Sequence, residues 1–586
     1  MGASGIPPSD ASEGGPPYGG TSAVGESLRV NPRWSSGLLV LLALVAFAPG
    51  AGGDFIWDDD AHVTASRPVT DPGGLAEIWF KPGSVPQYYP LTHTSFWLEF
   101  RLWGDRPLGY HVVNLLLHAA SSVVLWRVLV GLGFRGAWLA AAFFAVHPVH
   151  AESVVWISER KNTLSGLLAL SATWAWLRWW RSEPDLPASR PGRSWWVSWL
   201  LFVAAILSKT ITVTVPAAWL VVAWWKGDGR LRRREWLGVL PMVLVAIPAA
   251  VMTAWIEHQH IGAGRLDLGL SPVDRLLVAG RATWFYASKL VWPVDLCFIY
   301  PRWDIDSSES WQWVFPVAVL LVLAAVVWFR RRLGRGPAAA ALLFVGTLTP
   351  ALGFVDAYPM QFSFVADHFQ YLASIPLLSG FAYLVVTRWY ATHGGVVVLI
   401  LLCLSVFHSR VFVNTSVLWS DVVKKNPGSA LALTSLGNEL GEAGSHRLAE
   451  QRHRQAIEVD PQFPDAWVNL AVELQGQGRG DEAFEAAGRA VELAPWLPRA
   501  RVNLALGLKQ RGRYDEATEH LEAAVAMDHR FAIAWWHLLA LRWDRGDSEG
   551  MQKALSGLRK ADPRMAAEWE RTRPAGDGPD PAPVTP

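Results

Sequence analysis

The chain has 586 residues, of which 51% are hydrophobic, and its 52 Lys and Arg almost balance its 51 Asp and Glu, for a formal net charge of +1. This composition argues against a disordered chain and against nucleic-acid binding through bulk positive charge, and two cysteines cannot form a disulfide framework. The 34 tryptophans favour membrane–water interfaces. The composition therefore predicts a polytopic membrane protein, in contact with lipids, that also has a soluble part.

The first 33 residues are rich in Gly, Pro and Ser and show no apolar period, which predicts a disordered cytoplasmic tail. The apolar run 37–48 follows Arg29 and Arg33. It ends in Ala46-Phe47-Ala48, the small-residue pattern of a signal-peptide cleavage site, but Pro49 directly after it disfavours cleavage. We therefore expect an uncleaved first span and a membrane body over 34–411.

Ten further apolar runs follow, several of them shorter than the ~20 residues that cross a bilayer as a helix. Basic loops at 178–193, 230–234 and 330–335 belong in the cytoplasm by the positive-inside rule. About eleven alternating spans satisfy this rule if 278–293 lies along the interface. Residues 52–107, 257–311, 354–371 and everything after 411 are then outside. The predicted spans centre on 37–48, 109–131, 136–150, 152–177, 195–208, 210–225, 236–256, 312–329, 337–353, 372–387 and 394–410.

The part after 411 is polar and repeats every 34 residues. A period of this length, with Trp467 and Leu470 at the expected offsets, predicts tetratricopeptide repeats (TPR) over 412–573, which form an α-solenoid. The degenerate repeat from Ala532 is expected to act as a cap, and 574–586 as a disordered Pro-rich tail. The recurring positions include Pro427, Pro461 and Pro495; Gly444, Gly478, Gly512 and Gly546; and Ala456, Ala490 and Ala524.

Three adjacent carboxylates, Asp58, Asp59 and Asp60, stand in the predicted outer loop 52–107. Like charges this close raise at least one pKa, so the group is a candidate general base or metal ligand. The alternative is a solvated acidic turn, which is a common surface feature.

Polar side chains also occur in and beside the next apolar run. Tyr88 and His93 precede this run, and His111, Asn114 and His118 share one helical face within it. Polar groups inside a span are costly and usually face a cavity or a partner, so these residues are candidates to line a site. Hydrogen bonding between helices is the alternative. No obvious metal-ligand set is complete, so no metal site is predicted, and a divalent cation stays an open alternative.

The densest polar cluster includes His147, His150 and Glu152, and Arg160 and Lys161 follow it. An ionisable group at membrane depth costs on the order of 2.5–3.5 kcal/mol, which a purely structural protein has little reason to bear. Arg160 and Lys161 are therefore candidates to bind a phosphate. The alternative is an ion pair of each cation with Glu152 or Glu159.

Three further polar residues lie near the predicted outer face. Lys209, between two spans, is a third candidate phosphate ligand, and Asp367 and His368 either border a site or anchor the interface. No GxGxxG, GxxxxGK[ST] or GxSxG motif occurs, so nucleotide-driven chemistry on the cytoplasmic side finds no support.

These motifs, in this order, resemble a known family, the polytopic glycosyltransferases with a C-terminal TPR array. The family is typified by the transmembrane and tetratricopeptide-repeat protein O-mannosyltransferases and their bacterial relatives, and the resemblance covers roughly residues 34–565. The segments that carry it are Phe55-Ile56-Trp57-Asp58-Asp59, Tyr88-Tyr89-Pro90-Leu91, His147-Pro148-Val149-His150-Ala151-Glu152 with Trp156 and Arg160-Lys161, Leu290-Val291-Trp292-Pro293 with Tyr300-Pro301, Ala366-Asp367-His368, and Leu418-Trp419.

The resemblance implies a GT-C fold in which an acidic residue of the first outer loop lies near the catalytic centre. It also implies a polyprenyl-phosphate sugar as donor and a protein Ser or Thr as acceptor, and it makes Asp58 and Asp59 the acidic pair. The sequence departs from the family at Tyr89, where a basic residue is commoner, and at His368, where Arg is commoner. Both departures remove a permanent cation, which puts donor phosphate contacts at those positions in doubt.

The residues and the resemblance agree on one mechanism. A carboxylate, with Asp58 as first choice and Asp59 as its neighbour, takes the proton of an acceptor hydroxyl, and the basic residues stabilise the phosphate leaving group. Transfer without a covalent intermediate inverts the anomeric centre. We expect an integral, multi-pass protein, of a bacterial inner membrane, that transfers mannose or another hexose. Its TPR array would lie on the periplasmic or outer side and hold a protein or peptide acceptor.

Two other functional classes compete with the enzyme. The leading rival is a non-catalytic, membrane-anchored TPR scaffold for envelope assembly. A transporter or lipid-carrier flippase would predict inverted repeats between halves of the body, and the sequence shows none.

Overall fold

The computed structural model describes residues 32–182, 192–256, 268–389 and 391–572. All regular secondary structure in these ranges is helical, which confirms the predicted all-α class. The predicted tail 574–586 lies outside the described residues, and so does the predicted tail 1–33 except for its last two residues, which begin the first helix.

The helices of the body fall into a first group up to residue 182 and a second group after it. The first group is α1 (Pro32–Phe47), α2 (Asp59–His62), α3 (Arg67–Thr70), α4 (Leu75–Phe80), α5 (Pro90–Trp103), α6 (Pro107–Gly131), α7 (Ala137–Val146), α8 (Ala151–Val155) and α9 (Arg160–Ser182). The second is α10 (Arg193–Ser208), α11 (Val215–Lys226), α12 (Arg233–Ile256), α13 (Pro272–Val291), α14 (Val314–Trp328), α15 (Arg330–Leu333), α16 (Gly336–Leu348), α17 (Ser374–Arg388) and α18 (Ala391–His408). Short 3₁₀ helices lie at Pro148–His150, Ile157–Glu159, Thr210–Thr214, Ser310–Trp313, Thr349–Ala351, Tyr358–Gln361, Asp367–Gln370 and Ser409–Phe412.

Four helices of the described chain are long and apolar enough to cross a membrane, and a fifth span results if a pair bent by 54° counts as one. The four are Pro107–Gly131, Arg233–Ile256, Ser310–Trp328 and Thr392–Phe412, and the bent pair is Ala137–Val146 with Pro148–Val155. Shorter apolar helices are Arg33–Phe47, Arg193–Ser208, Gly336–Ala351 and Ser374–Arg388. Each predicted apolar run contains α-helix, although 136–150 and 152–177 extend over breaks between helices, and the lengths and compositions of the helices do not support a count of eleven spans.

The helical path is broken near residue 150, where the sequence predicts that one span follows directly on another. α7 ends at Val146, and Pro148 begins a 3₁₀ turn because its ring lacks an N–H donor and disfavours helical backbone at the preceding residue. α8 and the turn Ile157–Glu159 follow before α9 begins at Arg160. The break places Glu152 and Glu159 in the protein interior, where both are buried.

The predicted outer loop 52–107 is folded into short helices. Its buried residues share one apolar cluster with Tyr110 of α6 and Ile157 of the 3₁₀ turn; they are Val63, Val69, Ile78, Val85 and Phe96. Arg101 of α5 joins this helix to α3 and the residue after it, because its guanidinium donates to the carbonyl oxygens of Val69 at 3.0 Å and Asp71 at 2.5 Å. The acidic residues are therefore held against the turn that precedes α9.

The tryptophans occupy two environments, although their number predicts mainly interfacial positions. Trp34, Trp292 and Trp328 are largely exposed, as expected for an interface. Trp176 and Trp219 are almost fully buried and stacked, with 5.4 Å between ring centroids, and Trp219 Nε1 donates to Thr173 Oγ1 at 2.9 Å. Indole rings thus also fill gaps between helices, where large apolar area is removed from water and the N–H is satisfied.

The segment predicted to lie along the interface, 278–293, belongs mostly to α13. A capping box at Ser271 and Asp274 begins this helix. One face buries Val278, Tyr286 and Leu290. α13 is not among the helices that are long and apolar enough to cross.

The repeat array follows the predicted period. The first helices of four pairs begin at Ala430, Pro464, Pro498 and Ala532, and the second helices at His446, Gly480, Tyr514 and Ser548, in steps of 34 residues. A glycine in the left-handed region (φ 67–76°) closes the turn within each pair, where a side chain would be strained. The array comprises α19 (Thr415–Lys425), α20 (Ala430–Glu442), α21 (His446–Val459), α22 (Pro464–Gly476), α23 (Gly480–Leu493), α24 (Pro498–Gln510), α25 (Tyr514–Met527), α26 (Ala532–Asp544), α27 (Ser548–Ala561) and α28 (Pro563–Thr572).

The cap of the array is a later helix than the sequence predicts. The pair from Ala532 is complete, with α26 and α27 of the same lengths as the helices before them. α28 follows and covers the end of the last pair, with Trp569 packed edge-on against Trp536 at 5.0 Å between ring centroids. A repeat that is degenerate in sequence therefore still forms both of its helices.

α19 joins the body to the array and contacts the acidic loop. Trp419 packs against Trp57 with 4.8 Å between ring centroids, and the Asp54 N–H donates to the Val413 carbonyl at 2.8 Å. A Cβ on Gly53 would fall 2.5 Å from the same carbonyl oxygen, so only glycine fits there. The loop 52–107 is thus anchored by the segment that leads into the repeats.

Candidate active site

Asp59 is fully buried and holds the acidic loop to the turn before α9. Its Oδ2 accepts from the Ile56 N–H at 3.0 Å, and its Oδ1 accepts from the Ser158 N–H at 2.7 Å. Burial and the neighbouring charge of Asp58 raise the pKa of Asp59 well above its usual range, against the effect of the two N–H donors. With both oxygens occupied by backbone, Asp59 is placed to position the loop.

Asp58 is the reachable member of the pair, with 33% of its side chain exposed. Ser158 Oγ donates to its Oδ1 at 2.8 Å, and His62 Nε2 lies 3.4 Å from its Oδ2. Burial acts to raise the pKa of Asp58, but the hydrogen bond and charge of His62 and the charge of Lys161 outweigh it, so the pKa lies below its usual value. Asp58 is therefore an ionised carboxylate that a substrate can reach.

Two buried lysines share one carboxylate close to this loop. Lys161 Nζ lies 2.9 Å from Glu159 Oε1, and Lys209 Nζ lies 3.2 Å from Glu159 Oε2. Lys161 also donates to Gln87 Oε1 at 3.1 Å. The ion pairs named as the alternative at the sequence level are thus present for both lysines. Asp58 also interacts electrostatically with Lys161, and Glu152 with Lys209, so carboxylates surround both ammonium groups.

Glu152, Asp367 and His368 meet beside the lysines. His368 Nδ1 lies 2.6 Å from Glu152 Oε1, and its Nε2 lies 3.8 Å from Glu159 Oε1. Asp367 accepts from the Tyr300 hydroxyl at 3.0 Å, and burial together with the charge of Glu152 raises its pKa well above its usual range. The break near residue 150 and the segment 354–371, predicted to be outside, therefore converge on one polar cluster.

Known proteins match both parts of the chain. The Tetratricopeptide repeat family matches residues 474–541. A protein O-mannosyl-transferase of Caenorhabditis elegans is 26% identical over 458 residues, which are 73% of this chain and 63% of that protein. Protein O-mannosyl-transferase TMTC4 of Homo sapiens is 30% identical over 211 residues, 31% of this chain and 28% of that protein. The chain resembles the TMTC protein O-mannosyl-transferases.

The similarity to these relatives is partial in length. The chain spans less than two thirds of either one. Among solved structures, that of the TPR protein YrrB aligns with 27% of this chain and 82% of its own, at 19% identity and a TM-score of 0.23.

Arg160 occupies a different environment from the phosphate site predicted for it. The guanidinium is fully buried and engages Glu99 through two nitrogens, Asn114 Oδ1 through Nε, the Tyr110 carbonyl at 2.9 Å and Ser95 Oγ at 3.3 Å. These contacts use all five N–H groups of an arginine. No donor is left for a phosphate, so the structure gives Arg160 a packing role between α5, α6 and α9.

Most of the predicted site-lining histidines bind backbone. His147 Nε2 lies 3.1 Å from the Leu290 carbonyl and His150 Nδ1 lies 2.9 Å from the Phe144 carbonyl, while His111 is fully buried in α6. Tyr88 donates its hydroxyl to the Trp79 carbonyl at 2.7 Å. These contacts match the alternative of hydrogen bonding between helices. His93 also binds backbone, at the Tyr89 carbonyl, and its ring lies 5.4 Å from that of His62.

Several residues of the site were not predicted from the sequence. His62 lies one turn after Asp58, and that i, i+4 spacing is a signal that sequence inspection could have used. Ser158, which binds both acidic residues, and Glu99 gave no such signal, because their partners are distant in the chain. No group of three His, Cys, Asp or Glu in the described ranges is placed to hold a metal ion.

Proposed function

We propose that the protein is a glycosyltransferase that moves a hexose, most simply mannose, from a polyprenyl-phosphate carrier to a Ser or Thr hydroxyl on the outer face of the membrane. The observation that carries the proposal is Asp58, an ionised and reachable carboxylate in an otherwise buried polar cluster next to two lysines. The names of the relatives, protein O-mannosyl-transferases, support the reaction class and the choice of sugar.

In the proposed reaction Asp58 acts as the general base. The acceptor oxygen forms a bond to the anomeric carbon while the bond from that carbon to the carrier phosphate breaks. The hydroxyl proton passes to Asp58, the electron pair of the broken bond stays on the phosphate, and the configuration at the anomeric carbon inverts. The proton then leaves to water, because Asp58 is partly exposed.

Lys161 and Lys209 are the proposed ligands of the carrier phosphate. Lys209 donates one hydrogen bond within the described chain, to Glu159 Oε2, so its ammonium keeps donors for a phosphate. Negative charge grows on the phosphate as the sugar leaves, and a fixed ammonium in a site of low dielectric stabilises that charge strongly. Glu159 holds both lysines in place before the donor binds.

The proposed topology keeps the acidic loop and the repeats on the same side of the membrane. Contacts of α19 with that loop support this arrangement, because Trp57 and Trp419 are in direct contact. An odd number of crossings, built from the long apolar helices together with the shorter ones, would export both parts from a cytoplasmic N-terminus, and the TPR array would hold an acceptor peptide. A reporter fused after residue 415 should report outside, and a cytoplasmic signal would contradict the topology and the peptide-holding role.

Single Asn substitutions of the acidic pair test the reaction. Envelope glycoproteins from a null strain complemented with the parent, Asp58→Asn or Asp59→Asn are compared by intact mass, with the amount of each variant checked in the membrane. We expect Asp58→Asn to lose the sugar while its abundance is normal. If the null strain loses a sugar and Asp58→Asn restores it fully, the base assignment is wrong. If the null strain loses no sugar, the result supports a non-catalytic scaffold role instead.

A further inference from the structure

A line of hydrogen bonds leads from Asp58 into the protein interior. His62 Nε2 lies 3.4 Å from Asp58 Oδ2, and His62 Nδ1 lies 3.2 Å from His93 Nε2. The two rings are nearly parallel, at 21°, and His93 Nδ1 lies 3.1 Å from the Tyr89 carbonyl oxygen. Both histidines are buried, so the line joins a reachable carboxylate to the backbone acceptor of Tyr89, directly before α5.

The positions of the hydrogens follow from the two ends of this line. The Tyr89 carbonyl can only accept, so His93 Nδ1 carries a hydrogen. His93 stays neutral because burial lowers its pKa to about 3, and its Nε2 is therefore an acceptor. His62 Nδ1 must then donate to it. The remaining nitrogen of His62 faces a carboxylate oxygen, and two facing lone pairs would repel unless a proton lies between them.

We propose that His62 is a positioning residue that keeps a proton on the nitrogen facing Asp58, and that His93 fixes this arrangement by accepting from the opposite nitrogen. The inference rests on the proposed function, because it concerns the base of that reaction. The Ser158 hydroxyl and the His62 imidazolium then each donate to one oxygen of Asp58. Each oxygen keeps a lone pair, and one of these receives the acceptor proton.

The charged groups around the line all belong to the site already described. Asp58 faces His62 from the same short helix region, His93 faces it from α5, and Lys161 of α9 acts electrostatically on both Asp58 and His93. Asp59, next to Asp58 in the chain, is buried and points to backbone N–H groups. Removing the imidazolium charge would therefore make Asp58 more basic, with Lys161 as its remaining cation.

The test measures the pH dependence of the full-length protein in detergent. Transfer from a short-chain polyprenyl-phosphate mannose to a Ser/Thr-rich peptide gives the acidic limb of kcat/KM, and the infrared C=O band absent from Asp58→Asn gives the protonation of Asp58 without turnover. His62→Gln keeps an N–H for Asp58 but no charge. His93→Gln keeps an acceptor for His62, whereas His93→Leu removes it. His118→Gln, a buried histidine in α6 bound to Tyr371, is the matched control.

We expect both midpoints to move up by about one pH unit or more in His62→Gln, because an opposite charge within ~4–6 Å typically shifts a carboxyl by 1–3 units. His93→Leu should shift in the same direction, and His93→Gln and His118→Gln should not. Unmoved midpoints in His62→Gln overturn the inference. A shifted infrared band without any transfer would support the inference while contradicting the proposed donor, and full transfer by Asp58→Asn would contradict the proposed base alone.

Discussion

Removing Glu99 should destabilise the protein strongly, because Glu99 is the counter-ion of a guanidinium that has no contact with water. Arg160 is fully buried, and two of its nitrogens engage the carboxylate of Glu99. In Glu99→Leu these N–H groups lose their acceptors and the charge stays, since arginine cannot be deprotonated in a protein. Breaking a buried ion pair by removing one partner costs about 3–5 kcal/mol.

A double variant separates the lost charge from the lost packing. Arg160→Met/Glu99→Leu removes both charges, and its remaining cost is the pair of acceptors, Asn114 Oδ1 and the Tyr110 carbonyl, that the guanidinium satisfied. Each such loss costs about 1–3 kcal/mol or less where the site relaxes. Because replacing a whole buried ion pair by apolar residues is often close to neutral, whereas an unpaired buried charge costs about 3–5 kcal/mol, the double variant should unfold at a higher temperature than Glu99→Leu.

The assay is thermal unfolding of the purified, detergent-solubilised chain, with steady-state transfer measured on the same samples. Glu482→Gln is the control, because Glu482 pairs with Arg479 at the surface and such pairs contribute about 0–1 kcal/mol. A Glu99→Leu variant of parental stability whose KM for the donor is lowered would refute the reasoning. That result would indicate that Arg160 binds the donor phosphate.

Substitutions at three further positions test individual contacts of the structure. Lys209→Met should raise the donor KM by roughly tenfold or more while Lys209→Arg loses less, as measured by initial rates, because the ammonium is worth about 1.5–3 kcal/mol to a charged acceptor. Gly53→Ala should lower the yield of folded protein and the unfolding temperature, by about 1–3 kcal/mol, because its Cβ would lie 2.5 Å from the Val413 carbonyl oxygen. Trp569→Ala should expose α28 and the last repeat to limited proteolysis at a cost of about 3–5 kcal/mol, and an unchanged digestion pattern would contradict its role as the cap.

The elements of the chain were predictable to the extent that they repeat or are apolar. The array shows this best, because a period of 34 residues and a glycine at each turn set the helix boundaries locally. The apolar runs predicted the positions of body helices but not the number of crossings, because residues such as Pro148 break a run without making it polar. Length and hydropathy are properties of one segment, whereas its crossing of the membrane also depends on the helices that pack around it.

The site was predictable only where its residues are neighbours in the chain. The acidic pair was visible, but the different environments of Asp58 and Asp59 depend on Ser158, about a hundred positions later. The basic residues Arg160 and Lys161 are adjacent and look equivalent, yet successive helical residues point in directions about 100° apart. One therefore faces Glu99 and the other Glu159.

The contact of Trp57 with Trp419 also bears on the order in which the protein is made. Trp57 has a positive φ of 52°, a conformation that is strained for a bulky side chain and that neighbouring structure must hold. Its support, together with the Val413 carbonyl bound by Asp54, comes from a segment translated hundreds of residues later. During synthesis this loop would therefore remain incompletely formed until the segment that leads into the repeats has been made. Under the proposed function, a nascent chain would then be unable to transfer sugar before its synthesis is complete.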